Sequence, residues 1–196
     1  MIGVATSVEL VVGAPTSESR SGSMDEVEND LADVVRRARR NERAAYATLY
    51  VRFSKAVHAA VLARAPYGDA EDAVQEAFLT AWRRLDTLSE GEAFGGWILQ
   101  IARNTAIDQR RRVRPSQELD PETGAPDPPT AEAQEVLAAI RALPEAYRET
   151  LVMRLVEGMT GPEIAAATGM HADSVRVNLC RGMKLLRAKL GSGQTT

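Results

Sequence analysis

A single cysteine, Cys180, stands in 196 residues, so the chain can form no internal disulfide and suits a reducing compartment. Its two histidines, His58 and His171, lie far apart, and no metal-ligand spacing can be read from them. No stretch approaches the roughly 18 consecutive apolar residues of a membrane-spanning helix. The opening segment "MIGVATSVELVVGAPTSESRSGSM" has no basic leader, and Glu9 interrupts its short apolar run, so it does not read as a secretion signal. These absences lead us to expect a soluble, cytoplasmic protein. Strand-like alternation, internal repeats, Gly-rich phosphate loops and nucleophile–base pairs are missing too. Nothing in the sequence argues for an enzyme or for a bound cofactor.

What is present is helix-forming residues in two blocks. Hydrophobic residues make up 44% and charged residues 26%, a globular balance. The formal net charge of −3 hides a division: residues 1–30 and 113–140 each carry one base and six acids. Residues 31–112 carry fourteen bases and ten acids, and residues 141–196 eight bases and five acids. Two mildly basic blocks preceded and separated by acidic segments suit a conditional nucleic-acid binder better than a strong autonomous one. The acidic segments are also candidates to shield the basic blocks in the free protein.

Residues 1–24, rich in Ser, Gly and Thr, read as a disordered tail. Residues 113–131, with five prolines and no apolar periodicity, read as an acidic linker, and 191–196 as a short tail. Between them the periodicity predicts two all-α domains, 25–112 and 132–190. Helices are expected near 26–41, 42–64, 69–87 and 93–112, then near 132–142, 144–157, 161–168 and 172–189. Pro144 is expected as a first helical residue. Thr160 and Glu163 have the spacing of a capping box, and Gly169 suits the left-handed residue that ends a helix. Short helix, Gly turn, longer basic helix is a helix-turn-helix candidate.

Three helices have two distinct faces. In the last, Val175, Leu179, Gly182, Met183, Leu186 and Leu190 form a core stripe, while Val177, Arg181 and Lys184 point away with Ser174 and Asn178 beside them. Five bases and no acid fall between Ser174 and Leu190, which is a DNA-reading face or a solvated basic one. In 69–85, Val74, Ala77, Phe78, Ala81 and Leu85 are the buried stripe. Opposite them Leu79 stands among Asp72, Gln75, Glu76 and Arg83, an apolar anchor ringed by charge or an ordinary surface with one stray leucine. In "WILQIARNTAIDQRRR", 97–112, Ile98, Ile101, Ala102 and Thr105 face the core and Trp97 its margin. Gln100, Arg103, Ile107, Arg110 and Arg111 share the other side. Arginines at a helix C-terminus compensate its dipole, but Arg103 lies two turns back, so phosphate contact is the better reading. His58 reads as a core-edge residue, and Cys180 as a partly buried thiol beside the basic face.

Together "AEDAVQEAFLTAWRRL", "FGGWILQIARNTAIDQRRR" and "LPEAYRETLVMRLVEGMTGPEIAAATGM…SVRVNLCRGMKLLRAKL" resemble the sigma factors of extracytoplasmic-function (ECF) type, in order and spacing around a variable linker. "RRARRNERAAYATLYVRF" resembles that family's opening helix. The resemblance implies a promoter-specificity subunit of bacterial RNA polymerase. Asp72, Gln75, Glu76, Leu79 and Arg83 would dock on the clamp helices of the polymerase largest subunit. Gly91, Glu92, Ala93 and Phe94 would take a flipped base of the −10 element, with Arg103, Asn104, Arg110 and Arg111 holding the non-template strand and its duplex edge. His171, Ser174, Arg176, Val177, Asn178, Arg181 and Lys184 would meet the −35 element in the major groove.

It also implies an anti-sigma factor as a protein partner, and no membrane contact. This sequence departs from the family at His171, which replaces a small hydroxyl cap, and at "RVN" 176–178 and "RGMK" 181–184, which carry fewer bases than the usual runs. Two other readings stay open on the residues alone: a stand-alone helix-turn-helix regulator, and a helical interaction module that never touches DNA.

Overall fold

The computed structural model describes residues 24–112 and 130–192. The expected tails, apart from Met24, Gly191 and Ser192, and the expected linker, apart from Thr130 and Ala131, lie outside the described residues. Among those described there are eight α-helices, three single turns of 3-10 helix and no strand. The first domain holds α1 (Met24–Arg39), α2 (Arg43–Leu62), α3 (Ala70–Arg84) and α4 (Phe94–Arg112). The second holds α5 (Ala131–Arg141), α6 (Glu145–Leu155), α7 (Gly161–Thr168) and α8 (Ala172–Ser192). The 3-10 turns, Tyr67–Asp69, Leu85–Thr87 and Gly91–Ala93, lead into α3, out of α3 and into α4.

Local chemistry explains the ends. Asn41 takes a left-handed conformation, φ 62°, where α1 turns into α2, a conformation Asn tolerates better than most side chains. Pro144 is the cap before α6 rather than its first helical residue, with ψ 141°. Its carbonyl accepts the Tyr147 N–H, so the ring that lacks an N–H precedes the helix instead of opening it.

The second half of α2 is the centre of the molecule. Ala56, Val57, Ala59, Ala60, Val61 and Leu62 are all fully buried, with Phe53 a turn earlier. Helix α2 packs on α1, α3 and α4 on its own side and on α6 and α7 on the other. A helix apolar on every side is one with neighbours on every side, and alanines let those neighbours approach closely. The buried side chains of both domains form one continuous core. The two domains are therefore in direct contact, which the sequence reading, with its free linker, had left open.

Candidate docking face and nucleic-acid interface

The face of α3 away from the core carries Asp72, Gln75, Glu76, Leu79 and Arg83, all exposed, because Val74, Ala77, Phe78, Ala81 and, just beyond the helix, Leu85 take the buried positions. Leu79 is 50% exposed. Beside it runs a groove of about 480 Å³ lined by Arg43, Tyr46, Tyr50, Phe78 and Trp82 as well as Gln75 and Leu79. Tyr46 meets Trp82 edge-on with ring centres 4.5 Å apart, and Tyr50 meets Phe78 at the same distance. The Tyr46 hydroxyl donates to the Phe78 carbonyl at 2.5 Å, and burial pushes its phenol up to about 12. This aromatic flank from α2 was not singled out from the sequence. Its signal was the one-turn spacing of Tyr46 and Tyr50.

The segment leading into α4 is held against α1. Arg39 donates to the Leu85 carbonyl at 3.3 Å and also to that of Leu88. Gly91 lies so near α1 that a Cβ on it would sit 2.8 Å from the Ala32 Cα. Glu92 and Ala93 are exposed and Gly91 partly so. Phe94 corrects the expectation: it is fully buried, its ring 5.1 Å from Phe53 and 5.8 Å from Trp97. The segment's only aromatic therefore anchors α4 and presents no stacking surface to a base.

On α4, Asn104 is exposed and accepts from Gln100 at 3.1 Å. Arg111 is exposed, 3.8 Å from Asp108. The Arg110 side chain lies outside the described residues. Arg103 does not face open solvent as its helix face predicted. Its Nε and Nη2 grip the two oxygens of Glu149, on α6 of the other domain, at 2.7 and 2.8 Å. That carboxylate holds the Arg103 guanidinium above its usual range, against the opposing effect of burial.

In the second domain the capping box is complete. The Thr160 hydroxyl accepts from the Glu163 N–H at 3.4 Å, and the Glu163 carboxylate accepts the Thr160 N–H at 2.7 Å. The Thr160 backbone and hydroxyl together hold Glu163 below the usual carboxylate range. Gly169 ends α7 at φ 70°, a left-handed residue that a side chain would strain. The turn sets α8 with Val175, Gly182 and Leu186 buried and Leu179, Met183 and Leu190 half-buried. His171, Ser174, Arg176, Val177, Arg181 and Lys184 are exposed. Arg176 lies 3.4 Å from Asp173 at the start of its own helix. Asn178 is half-buried and donates to the Ala146 carbonyl at 3.1 Å, so its amide is partly committed within the domain. Cys180 is exposed, not partly buried as the sequence reading had it.

His58 is no mere core-edge residue: its Nδ1 lies 2.6 Å from Glu157, just past the end of α6. No group of three or more potential metal ligands occurs among the described residues, and no described helix is long and apolar enough to cross a membrane.

Comparison with known proteins finds two family models, one in each helical block. The sequence model of sigma-70 region 2 matches residues 49–115, and that of sigma-70 region 4 matches residues 133–186. The ECF RNA polymerase sigma-E factor of Escherichia coli (strain K12) is 31% identical over 177 residues, covering 80% of this chain and 92% of its own length. The RNA polymerase sigma factor NccH of Alcaligenes xylosoxydans xylosoxydans is 29% identical over 176 residues, covering 82% and 95%. The structure of CnrH in complex with the cytosolic domain of CnrY matches with a TM-score of 0.54 at 26% identity, over 83% of this chain and 97% of that one.

Proposed function

The chain belongs to the sigma-70 family, among the factors of ECF type, and we propose from its exposed faces how it shares out the work of a promoter-specificity subunit of RNA polymerase. The first domain, 25–112, docks on the core enzyme through Asp72, Gln75, Glu76, Leu79 and Arg83 of α3 and meets the −10 element with the start and the arginine side of α4. The second domain, 132–190, reads the −35 element with the exposed side of α8. The chain catalyses no covalent step. It acts where RNA polymerase acts, in the cytoplasm, by differential binding: docking aligns two weak DNA-binding surfaces on one promoter and so raises the effective concentration of each for its element.

The observation that carries this reading is the α3 face. A half-exposed leucine ringed by charge and continued by a groove of Tyr46, Tyr50 and Trp82 has the composition of a protein interface, aromatic anchor inside a polar rim. A stand-alone DNA binder leaves that face unused. With Phe94 buried, the −10 pocket depends on Glu92, Ala93 and the backbone around Gly91, so strand capture relies on hydrogen bonding more than on stacking. An anti-sigma factor is the expected protein partner; the similar CnrH was itself solved in complex with another protein, the cytosolic domain of CnrY.

The test is run-off transcription on fragmented genomic DNA by core RNA polymerase with and without the protein, mapping RNA 5′ ends. New starts that share two spaced upstream motifs are expected. Absence of new starts together with failure to co-elute with core enzyme would return the chain to the stand-alone helix-turn-helix reading.

A further inference from the structure

Arg39 is the one arginine of its run that turns inward. Arg36, Arg37 and Arg40 are exposed, and Arg36 and Arg37 pair with Asp33 and Glu42. Arg39, the last residue of α1, is partly buried and reaches across to the chain that follows α3. Its Nε donates to the Leu85 carbonyl at 3.3 Å and its Nη2 to the Leu88 carbonyl. Seven residues earlier on the same helix, Ala32 stands against Gly91. That spacing is close to two helical turns, so Ala32 and Arg39 share one side of α1, about 10 Å apart along its axis. Val35, between them on that side, is fully buried.

The segment from 88 to 94 is therefore an arch pinned at every third residue. Leu88 is buried with its carbonyl held by Arg39, Gly91 lies against Ala32, and Phe94 is buried against Phe53. Between the pins Ser89, Glu90, Glu92 and Ala93 are exposed. Helix α1 supplies the first two pins.

We propose that Arg39 is a positioning residue for promoter reading: by tying α1 to the Leu85 and Leu88 carbonyls it fixes the arch that presents Glu92 and Ala93 to the −10 element. The proposal rests on the reading of 91–94 as the −10 surface. It brings into promoter choice a helix which that reading leaves without a part in it.

The need for such a tie follows from the make-up of the arch. With Phe94 buried, base capture depends on hydrogen bonds from Glu92, Ala93 and the nearby backbone. Groups that recognise a ligand this way have to be held within about 0.5 Å of their places. The arch's own backbone bonds are short-range, from the Leu88 N–H to the Leu85 carbonyl at 3.3 Å and from the Ala93 N–H to the Glu90 carbonyl at 3.2 Å. Each spans three residues and so fixes nothing against the rest of the domain. The guanidinium does, because its partners lie 46 and 49 residues away along the chain. An arch set in advance loses less entropy when the base arrives.

The side chain suits the task. A guanidinium offers its nitrogens in a rigid planar fork, whereas lysine offers one ammonium on a flexible stem. Without Arg39 the Leu85 carbonyl keeps the Leu88 N–H, and Leu31, Val34, Val35 and Ala38 still bury α1 on the core. Loss of the side chain loosens the arch and leaves the helix in place.

The experiment uses the full-length chain with Arg39→Met, Arg39→Lys and, as an equal charge loss on the exposed side of α1, Arg36→Met. Each is combined with core RNA polymerase on two duplex pools built from one promoter that the unaltered protein uses. One pool is randomised at the motif near the start, the other at the distal motif, and sequencing of the RNA gives the preference at each base. Hydrogen exchange in the free proteins reads the Leu88 and Ala93 amides.

A mismatched base pair ordinarily costs a DNA-reading protein about tenfold. Arg39→Met is expected to reduce that discrimination about threefold at the near motif and to leave the distal motif unchanged. Exchange at both amides should be faster. Arg39→Lys should behave as Arg39→Met does, and Arg36→Met as the unaltered protein does. Should Arg39→Met fail to stay folded by circular dichroism, Arg39→Lys carries the test.

A uniform loss across every sequence of both pools would leave Arg39 a purely structural residue and overturn the proposal. Full restoration by lysine overturns it too, since charge alone then suffices, as in a direct contact with DNA phosphate. The −10 reading is judged on the unaltered protein. No start, or no base preference near it, removes that reading and the proposal with it, whereas a clear preference that Arg39→Met shares removes the proposal alone.

Discussion

Gly95, in the first turn of α4, lies against Ala167 of α7 so closely that a Cβ on it would stand 2.6 Å from the Ala167 carbonyl oxygen and 3.0 Å from the Phe53 ring. The two domains thus approach each other at a glycine that tolerates no side chain, because one of the atoms in the way is backbone. Gly95→Ala should force α7 away from α4. The expected outcome is a larger radius of gyration with near-native helix content, or a stability loss of about 1–3 kcal/mol if the domains stay packed. An unchanged radius together with an unchanged melting temperature would contradict the contact.

Leu79→Asp places a charge on an exposed residue and removes the apolar anchor of the α3 face. Because Leu79 is half-exposed, the fold should survive with a stability change within about 0.5 kcal/mol. Co-purification with core polymerase should be abolished. Retained binding would remove α3 from the docking surface.

Reversing both Arg181 and Lys184 to glutamate should leave helix content intact, since both are exposed on α8. If both contact phosphate, promoter binding by the holoenzyme should weaken and the salt dependence of that binding should flatten by about two units of slope. Unaltered transcription would favour the reading in which the chain never touches DNA.

Thr160→Ala removes the hydroxyl half of the capping box, with an expected cost of about 1 kcal/mol, measured by urea unfolding. The box has a pH dependence of known sign. Glu163 sits below its ordinary value of 4.5 because the Thr160 backbone and hydroxyl donate to it. A carboxylate depressed on folding stabilises above its unfolded value, and that contribution is lost as pH falls through the folded one. The acid sensitivity of the unfolding midpoint should therefore be shallower in the variant.

Tyr46 predicts the opposite edge of the pH range. Burial raises its phenol from 10 to about 12, so the neutral form contributes stability that is whole below pH 10 and declines as pH climbs toward 12. Absorbance at the tyrosinate band should show one phenol titrating late, and Tyr46→Phe should make alkaline unfolding less steep. A single transition for all tyrosines near 10 would contradict its burial.

Much of this molecule was legible along the chain. The α3 face could be read because Val74, Ala77, Phe78 and Ala81 recur at helical spacing and leave Leu79 on the other side. The helix-turn-helix could be read because Thr160, Glu163 and Gly169 act on backbone groups a few residues away. The Ala-rich run from Ala56 to Ala65 reads along the chain only as part of a helix near 42–64 with His58 at its core edge; that this stretch is buried on every side emerged with the fold. Phe94 misled because an aromatic residue in a Gly-rich segment looks exposed, and only the meeting of α2 with α4 reveals Phe53 beneath it.

The sequence by itself determined the helices, the Thr160–Glu163 and Gly169 caps of α7, the turn of the second domain and the apolar stripes of α3, α4 and α8, because all of these follow from periodicity and hydrogen bonds within one or two turns. The tertiary structure alone decided that Arg103 meets Glu149, 46 residues further along the chain, and that His58 meets Glu157, 99 residues away. Helical periodicity says which side of α4 an arginine occupies. It carries no information about which carboxylate waits there, since that depends on how two separately patterned domains come together in space.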